Sequence, residues 1–297
     1  MQSVSVIIPA HNEEDALGPE LDHIRKVMDA SGYPFEIIVV DDGSTDRTAE
    51  IARSKGVRLL QHRRKRGAGA SRRTGILHAH GEICVMIDAD GSYKVEDIPN
   101  LLACFPDADQ VVGARRVEAG SAAWLRRPTK WFIRQLASLL TGTHIPDLNS
   151  GLRAFRRDVM LKFLYLIPDG FSCVTTMTLT FLSNGYVVEY VPTDYYPRVG
   201  RSKFHPIKDT YNYLLTVVRI VLFFNPMKFF LPASTLLFLA GVARFLYHAL
   251  ANHHVRESDV MLILTAFILG AIGLLADLIV SERRLALMDS PEPGQQL

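Results

Sequence analysis

Cysteine is scarce in this chain: Cys84, Cys104 and Cys173 are the only three in 297 residues. They have neither metal-ligand spacing nor the even count of a disulfide framework, so they read as reduced core residues. Net charge is scarce too. Lys and Arg number 33 against 31 Asp and Glu, a formal +2, and a chain without a concentrated basic excess is not a dedicated nucleic-acid binder. A secretory leader is not evident either. Met1 runs directly into Val4-Ser5-Val6-Ile7-Ile8-Pro9 with no basic n-region and no small-residue cleavage site, which predicts a cytoplasmic N-terminal domain. Long apolar runs are missing up to about residue 205; beyond it charges thin out and such runs take over.

In the first part, strand and helix signals alternate. Strands are predicted at Val4–Ile8, Phe35–Val40, Val57–Leu60, Glu82–Ile87 and Gln110–Val112. Between them, helical periodicity covers Glu13–Met28, Asp46–Lys55, Ser71–His80 and Ile98–Phe105. Strands apolar on both faces and separated by amphipathic helices imply an α/β fold with a mostly parallel sheet covered on both sides. Ligands of such folds sit beyond the carboxyl ends of the strands. Acidic residues stand there: Asp41 and Asp42 after one strand, Asp88 and Asp90 after another.

The tail reads differently. His205–Phe224 carries Tyr211, Tyr213, Leu214, Leu215, Val217 and Val218 with Lys208, Asp209 and Arg219 interspersed, the pattern of an amphipathic helix lying in a membrane interface. Asn225-Pro226 breaks it. Phe229–Leu250 and Val260–Val280 are each about 21 mostly apolar residues, long enough to cross the hydrocarbon core. Lys228 and Arg283-Arg284 fall at the same end of this hairpin, so the positive-inside rule predicts both termini in the cytoplasm. The expected division is 1–204 for a cytoplasmic catalytic domain, 205–225 for the interfacial helix, 226–281 for a two-span hairpin and 282–297 for a cytoplasmic tail. Within the spans, Arg244 is expected to snorkel outward and Asp277 to pair with Arg283. Gly241, Gly270 and Gly273 offer close helix contact, within the hairpin or between protomers.

Two carboxylates one residue apart at a strand end, Asp88 and Asp90, can hold Mg²⁺ or Mn²⁺, because such ions prefer hard oxygen ligands and take the remainder from water and a diphosphate. Asp41-Asp42-Gly43-Ser44 is more ambiguous. Ser44 or Asp46 could cap the next helix, or one acid could accept hydrogen bonds from a base or ribose. Arg63-Arg64-Lys65-Arg66-Gly67-Ala68-Gly69-Ala70-Ser71 joins a basic run to a small-residue loop at a helix start. It reads either as a phosphate site or as a solvated basic face.

Taken in order, Ile7-Ile8-Pro9-Ala10-His11-Asn12-Glu13-Glu14, Val39-Val40-Asp41-Asp42-Gly43-Ser44-Thr45-Asp46 and Asp88-Ala89-Asp90-Gly91 resemble family 2 glycosyltransferases with the GT-A fold. Val111-Val112-Gly113-Ala114-Arg115 and Asp147-Leu148-Asn149-Ser150-Gly151-Leu152-Arg153-Ala154-Phe155 are similar to the polyprenyl-phosphate sugar synthases, typified by dolichyl-phosphate mannose synthase. The two-span tail resembles bacterial relatives that load sugars onto undecaprenyl phosphate. The resemblance implies an enzyme that moves a monosaccharide from a UDP- or GDP-sugar to undecaprenyl or dolichyl phosphate, with inversion, at the cytoplasmic membrane face. Pro9, Ala10, Asn12, Glu13 and Asp41 would line the nucleotide pocket, with Asp42, Arg66 and Gly67 on the same donor side. Asp88 and Asp90 would hold the diphosphate and metal, Asp90 more directly. Arg115 matches an arginine that contacts the acceptor phosphate, and Lys130 would add a second cation. Ser150 and Arg153 belong to the acceptor-side motif. Arg198, Arg201, Ser202 and Lys203 resemble a loop that closes over donor diphosphate and acceptor phosphate, and they also suit anionic lipid headgroups. The relatives suggest homo-oligomers. One departure stands out: the D-x-D continues as Gly91-Ser92-Tyr93 where mannose synthases carry Leu-Gln, so donor identity does not carry over.

Two other classes compete. A processive polysaccharide synthase shares only the front half of this pattern and carries a Gln-x-x-Arg-Trp motif that is absent here. A non-enzymatic nucleotide-sugar binding module would have no need of the Asp88–Asp90 pair, which serves a leaving group.

Overall fold

The computed structural model describes residues 2–116, 131, 134–135, 137–139, 141–170, 172–196, 215, 218–219, 222–251 and 256–288. The chain divides into two compact units, Met1–Val217 and Val218–Leu297.

The first unit is built on a seven-stranded sheet of order β3-β2-β1-β4-β6-β5-β7. Its strands are β1 (Val4–Ala10), β2 (Phe35–Asp41), β3 (Arg58–Gln61), β4 (Ile83–Met86), β5 (Gln110–Arg115), β6 (Arg153–Arg156) and β7 (Val188–Thr193). β3, β2, β1 and β4 are parallel, and β7 is parallel to β5. β6 runs antiparallel between β4 and β5, so the sheet is mostly but not wholly parallel. Val6, Ile8, Val39 and Val85 are fully buried, as expected of strands covered on both faces. β1 continues through Pro9, which pairs with Val40. β4 pairs with β1 only from Val4 to Ile7, so the N–H that proline lacks is not missed on that flank.

The helices differ from the sequence reading at their ends. α1 is Leu17–Ser31, not Glu13–Met28; residues 14–16 form a turn in which Ala16 N and Leu17 N both donate to Glu13 O. α2 is Thr48–Ser54. α3 is Ala68–His78 and starts three residues before the predicted Ser71, immediately after Gly67 with φ 107°. A 3₁₀ turn at Val95–Asp97 precedes a short α4, Ile98–Leu102. The buried helix Cys173–Ser183 and strands β6 and β7 lie in a stretch where the sequence reading assigned no elements. Cys84 and Cys173 are buried, as expected of core residues, and Cys104 is only half-buried.

In the second unit, helices Met227–Ala251 and Glu257–Met288 pack on each other. Segments of 24 and 26 residues within them are long and apolar enough to cross a membrane, and only 11% of either apolar window is buried. Leu236, Phe267 and Leu274 point outward, more than half exposed. A side chain at Gly241 would meet Ile263, and one at Gly273 would meet Phe230 at 2.5 Å, so these two glycines set the close approach. A Cβ at Gly270 would reach nothing nearer than 3.7 Å. Arg244 finds a protein partner, Asp259, at 3.2 Å; His248 Nδ1 lies 2.5 Å from the other oxygen of that fully buried carboxylate. Of the predicted interfacial helix, only positions 215, 218–219 and 222–225 are described, and the Arg283 side chain expected to pair with Asp277 falls outside the described residues.

Candidate active site

The carboxyl ends of β1, β2 and β4 carry the loops that form the site. Beyond β1, Asn12 adopts a left-handed φ of 54°, a conformation asparagine tolerates better than most residues. Its N–H donates to Ser44 Oγ (3.0 Å) and its Oδ1 accepts from Thr45 N (2.9 Å). These bonds interlock the loop after β1 with the loop after β2. Asp41 and Asp42 sit beneath the interlock, 2% and 3% exposed. Asp41 accepts from Ser44 N and Gln61 Nε2. Asp42 accepts from Arg66 N (2.8 Å) and Gly67 N (2.7 Å), and its Oδ1 lies 2.7 Å from His62 Nδ1. Burial opposes ionisation of Asp42, but His62 and the two backbone donors outweigh it and hold the carboxyl below its usual range.

This arrangement corrects one expectation. The backbone donors around Gly67 do not form a phosphate cradle, because Asp42 takes those of Arg66 and Gly67 and the Asp169 carbonyl takes that of Gly69. Asp42 and Gly67 are thus fasteners of the basic loop. What the loop offers to a phosphate is the side chains of Arg63, Arg64, Lys65 and Arg66, all exposed and without ion pairs among the described residues. Pro9, Ala10, Asn12 and Glu13 are brought together at the end of β1 as the sequence placed them.

Asp88 and Asp90 follow β4. Asp90 Oδ1 accepts from Ser92 N and Ser92 Oγ, which fixes the turn at Gly91. Asp88 Oδ1 accepts from Arg72 Nη2 at 2.6 Å, while its side chain keeps 33% of its surface exposed. Glu20, in the first turn of α1, faces the same loop. It is 7% exposed, and its Oε1 has no hydrogen-bond partner among the described residues. Burial, abetted by Asp90 and Glu96 and opposed by His23, pushes its carboxyl up to about 7. Two hard-oxygen carboxylates at one strand end suit Mg²⁺ or Mn²⁺ that takes its other ligands from a diphosphate and water. Among the described residues no three His, Cys, Asp or Glu side chains converge into a protein-only metal cage.

Across the sheet, Arg115 at the end of β5 is clamped by Asp147, with Nε to Oδ2 at 2.7 Å and Nη2 to Oδ1 at 2.9 Å. Its guanidinium also lies 5.2 Å from the Tyr195 ring centre. Asp147 is buried, yet this fork holds its carboxyl below the usual range. Arg115 is thus oriented by a carboxylate. Ser150 and Arg153 require correction. Both are fully buried. Arg153 donates to the carbonyls of Val174 and Ser150 and to Thr178 Oγ1, and Ser150 Oγ donates to Leu152 O. They hold the acceptor-side motif from below instead of presenting charge at its surface. Lys130, Arg198, Arg201, Ser202 and Lys203 lie outside the described residues.

Arg72, His62 and Glu20 escaped the sequence reading, and Asp147 was read only as part of a motif, without a role. The one available signal was a charged residue on the apolar side of a helix: Glu20 beside Leu17, Leu21 and Ile24, and Arg72 beside Ile76.

Comparison with known proteins agrees with this fold. Residues 5–164 match the model of glycosyl transferase family 2, and residues 225–281 match the GtrB C-terminal hairpin. The chain is 30% identical over 205 residues to a dolichyl-phosphate hexose transferase of Haloferax volcanii, covering 68% of this chain and 87% of that one. It is 34% identical over 172 residues to an undecaprenyl-phosphate 4-deoxy-4-formamido-L-arabinose transferase of Edwardsiella ictaluri, covering 56% and 52%. In fold it resembles glucosyl-3-phosphoglycerate synthase of Mycobacterium tuberculosis, solved with Mn²⁺ and UDP, at a TM-score of 0.57 and 21% identity over 74% of this chain and 79% of that one. With its family match over more than half of its length and its acidic pair at the end of β4, the chain is a membrane-associated enzyme that belongs to glycosyl transferase family 2.

Proposed function

We propose that this enzyme transfers a monosaccharide from a UDP- or GDP-sugar to a polyprenyl phosphate, with inversion, at the cytoplasmic face of a membrane. The observation that carries the reading is the union, in one chain, of the Asp88–Asp90 pair with a hairpin of the GtrB type. The relatives named for dolichyl- and undecaprenyl-phosphate acceptors support the acceptor class. Lys228 and Arg283-Arg284 at one end of the hairpin support the cytoplasmic orientation.

An acceptor phosphate is ionised near neutrality, so the nucleophile needs no strong general base. The harder tasks are bringing two anionic groups together and stabilising the departing nucleoside diphosphate. Asp88 and Asp90 would hold Mg²⁺ or Mn²⁺, which would supply charge neutralisation for that leaving group. Pro9, Ala10, Asn12, Glu13 and Asp41 form or support the nucleotide side, kept in shape by the Asn12–Ser44–Thr45 interlock. Arg66, with the neighbouring exposed cations, faces the diphosphate. Arg115, oriented by Asp147, addresses the acceptor phosphate, joined by Lys130 and by Arg198, Arg201, Ser202 and Lys203. Arg115, held by Asp147 before the substrates arrive, needs no reorganisation as charge develops.

The test is reconstitution of the detergent-purified protein with undecaprenyl phosphate, Mg²⁺ or Mn²⁺ and a panel of UDP- and GDP-sugars. Nucleoside diphosphate release and the mass of the lipid product are followed, and the anomeric configuration of the product is read by NMR. One donor yielding a lipid-phosphate monosaccharide of inverted configuration is the expected result. Diphosphate release without a lipid product would overturn the acceptor assignment, and a retained configuration would overturn the single displacement.

A further inference from the structure

We propose that Arg72 is a positioning residue for glycosyl transfer: its buried guanidinium fixes Asp88 in a slot closed on the far side by Gly151 and ties that carboxylate to the helix Cys173–Ser183. The inference rests on the reading of Asp88 and Asp90 as the donor-side carboxylate pair.

Arg72 lies on the inner side of α3 and is 4% exposed. A buried guanidinium needs partners, and its two arms reach different parts of the fold. Nη2 donates to Asp88 Oδ1 at 2.6 Å, and Nη1 donates to Cys173 Sγ at 3.0 Å. Nε has no partner among the described residues, so the two arms carry the whole compensation seen there. A short charge-assisted bond of this kind sets a carboxylate's orientation as well as its charge.

The other wall of the slot is backbone. A Cβ on Gly151 would lie 2.4 Å from Asp88 Oδ2 and 2.9 Å from its Cγ. Gly151 is itself held, because its N–H donates to Tyr93 Oη at 2.6 Å. Asp88 therefore has Arg72 on one oxygen and the Gly151 backbone against the other. Gly151 belongs to the acceptor-side segment Asp147–Arg153, whose Arg153 donates to Val174 O in the same helix that offers Cys173 to Arg72. Through Arg72, the donor-side carboxylate and the acceptor-side segment are referred to one helix, and the distance between the two substrates is set by packing.

The charge has a second consequence. Arg72 neutralises part of Asp88, so removing the guanidinium leaves a more negative pair. A variant without it is expected to bind Mn²⁺ at least as tightly as the wild type while losing turnover. A general packing defect would weaken both.

The experiment uses the full-length protein in detergent. Mn²⁺ binding is read by electron paramagnetic resonance with the metal alone, and kcat and KM are read separately with whichever donor supports turnover. Arg72→Met is expected to lower kcat by about 100-fold, the size of effect an active-site misplacement near 1 Å produces, with donor KM within about threefold and Mn²⁺ affinity undiminished. Arg72→Lys, which keeps one cationic donor, is expected to recover about tenfold of that loss. Cys173→Val, which removes the acceptor of Nη1, is expected to lower kcat. Wild-type kcat in Arg72→Met would overturn the proposal, as would equal losses of kcat, Mn²⁺ affinity and thermal stability in both arginine variants. Should the arginine variants fail to fold, Gly151→Ala and Cys173→Val carry the test by disturbing the slot from its other sides, and unchanged kcat in both overturns it. Failure of the wild type itself to bind Mn²⁺ or turn over any donor would instead overturn the carboxylate-pair reading on which the proposal stands.

Discussion

Glu20→Gln should make the protein more stable at alkaline pH and leave it unchanged in mild acid. Glu20 occupies the core side of the first turn of α1, 7% exposed and with an unpartnered Oε1, and its carboxyl ionises near 7 instead of 4.5. Below about 4.5 the group is protonated whether the chain is folded or not, and stability is unaffected. Between 4.5 and 7 the unfolded chain releases the proton while the folded one retains it, so stability falls as pH rises through this window and levels off above it. At about 1.4 kcal/mol per pH unit, the loss reaches roughly 3 kcal/mol by pH 8. Glutamine keeps the shape and cannot ionise, so the variant escapes that loss. For a domain of this size it should melt about 6–12 °C above the wild type at pH 8. The assay is scanning fluorimetry in detergent with EDTA at pH 5 to 8, taking the difference between the two proteins so that groups common to both cancel. Parallel melting curves across that range would refute the reasoning, because they would mean that Glu20 is charged and solvated in the folded protein.

Asp90→Asn should abolish turnover while circular dichroism stays that of the wild type; wild-type-like activity would remove Asp90 from the metal role. EDTA should stop turnover, and addition of Mn²⁺ or Mg²⁺ should restore it, measured as nucleoside diphosphate release. Asp147→Asn leaves Arg115 clamped by a neutral amide and should cost about 3–5 kcal/mol by denaturant melting, the range for breaking a buried ion pair. Because the Asp147 carboxyl is held below its unfolded value, the stability it contributes is present above about pH 4 and is lost as pH falls further. Gly273→Leu drives a side chain into Phe230 and should separate the hairpin, seen as increased cysteine-crosslinking distance between its two helices.

β1, β2 and β4 were legible because they are short, largely apolar runs, and β2 and β4 lead into acids, a pattern local enough to read one segment at a time. β6 was not, since Arg153-Ala154-Phe155-Arg156 has charges at both ends and becomes a strand only by lying between β4 and β5. The start of α3 was missed for a related reason. Gly67 and Gly69 flank Ala68 and are weak helix formers, and the helix begins there because Asp42 and the Asp169 carbonyl secure the backbone from outside it. In the site, Asp88 and Asp90 were visible as a spaced pair at a strand end. The burial of Arg153 was not, because nothing local distinguishes an arginine that reaches a ligand from one that caps the carbonyls of a helix 21 residues away. Arg72 and Asp88 are 16 residues apart, and their bond exists only through the packing of α3 on β1 and β2.

The Asp259 carboxylate in the hairpin has a mechanical consequence. Both of its oxygens are occupied, by Arg244 and by His248, from one stretch of the opposite helix. Sliding one helix past the other by a turn, about 5.4 Å, would strand a buried carboxylate and a guanidinium at once. The two helices consequently have a single axial register, and the hairpin behaves as a post of constant length. A bilayer thicker or thinner than that post would be met by tilting the whole hairpin or by deforming the lipid around it, never by telescoping its helices.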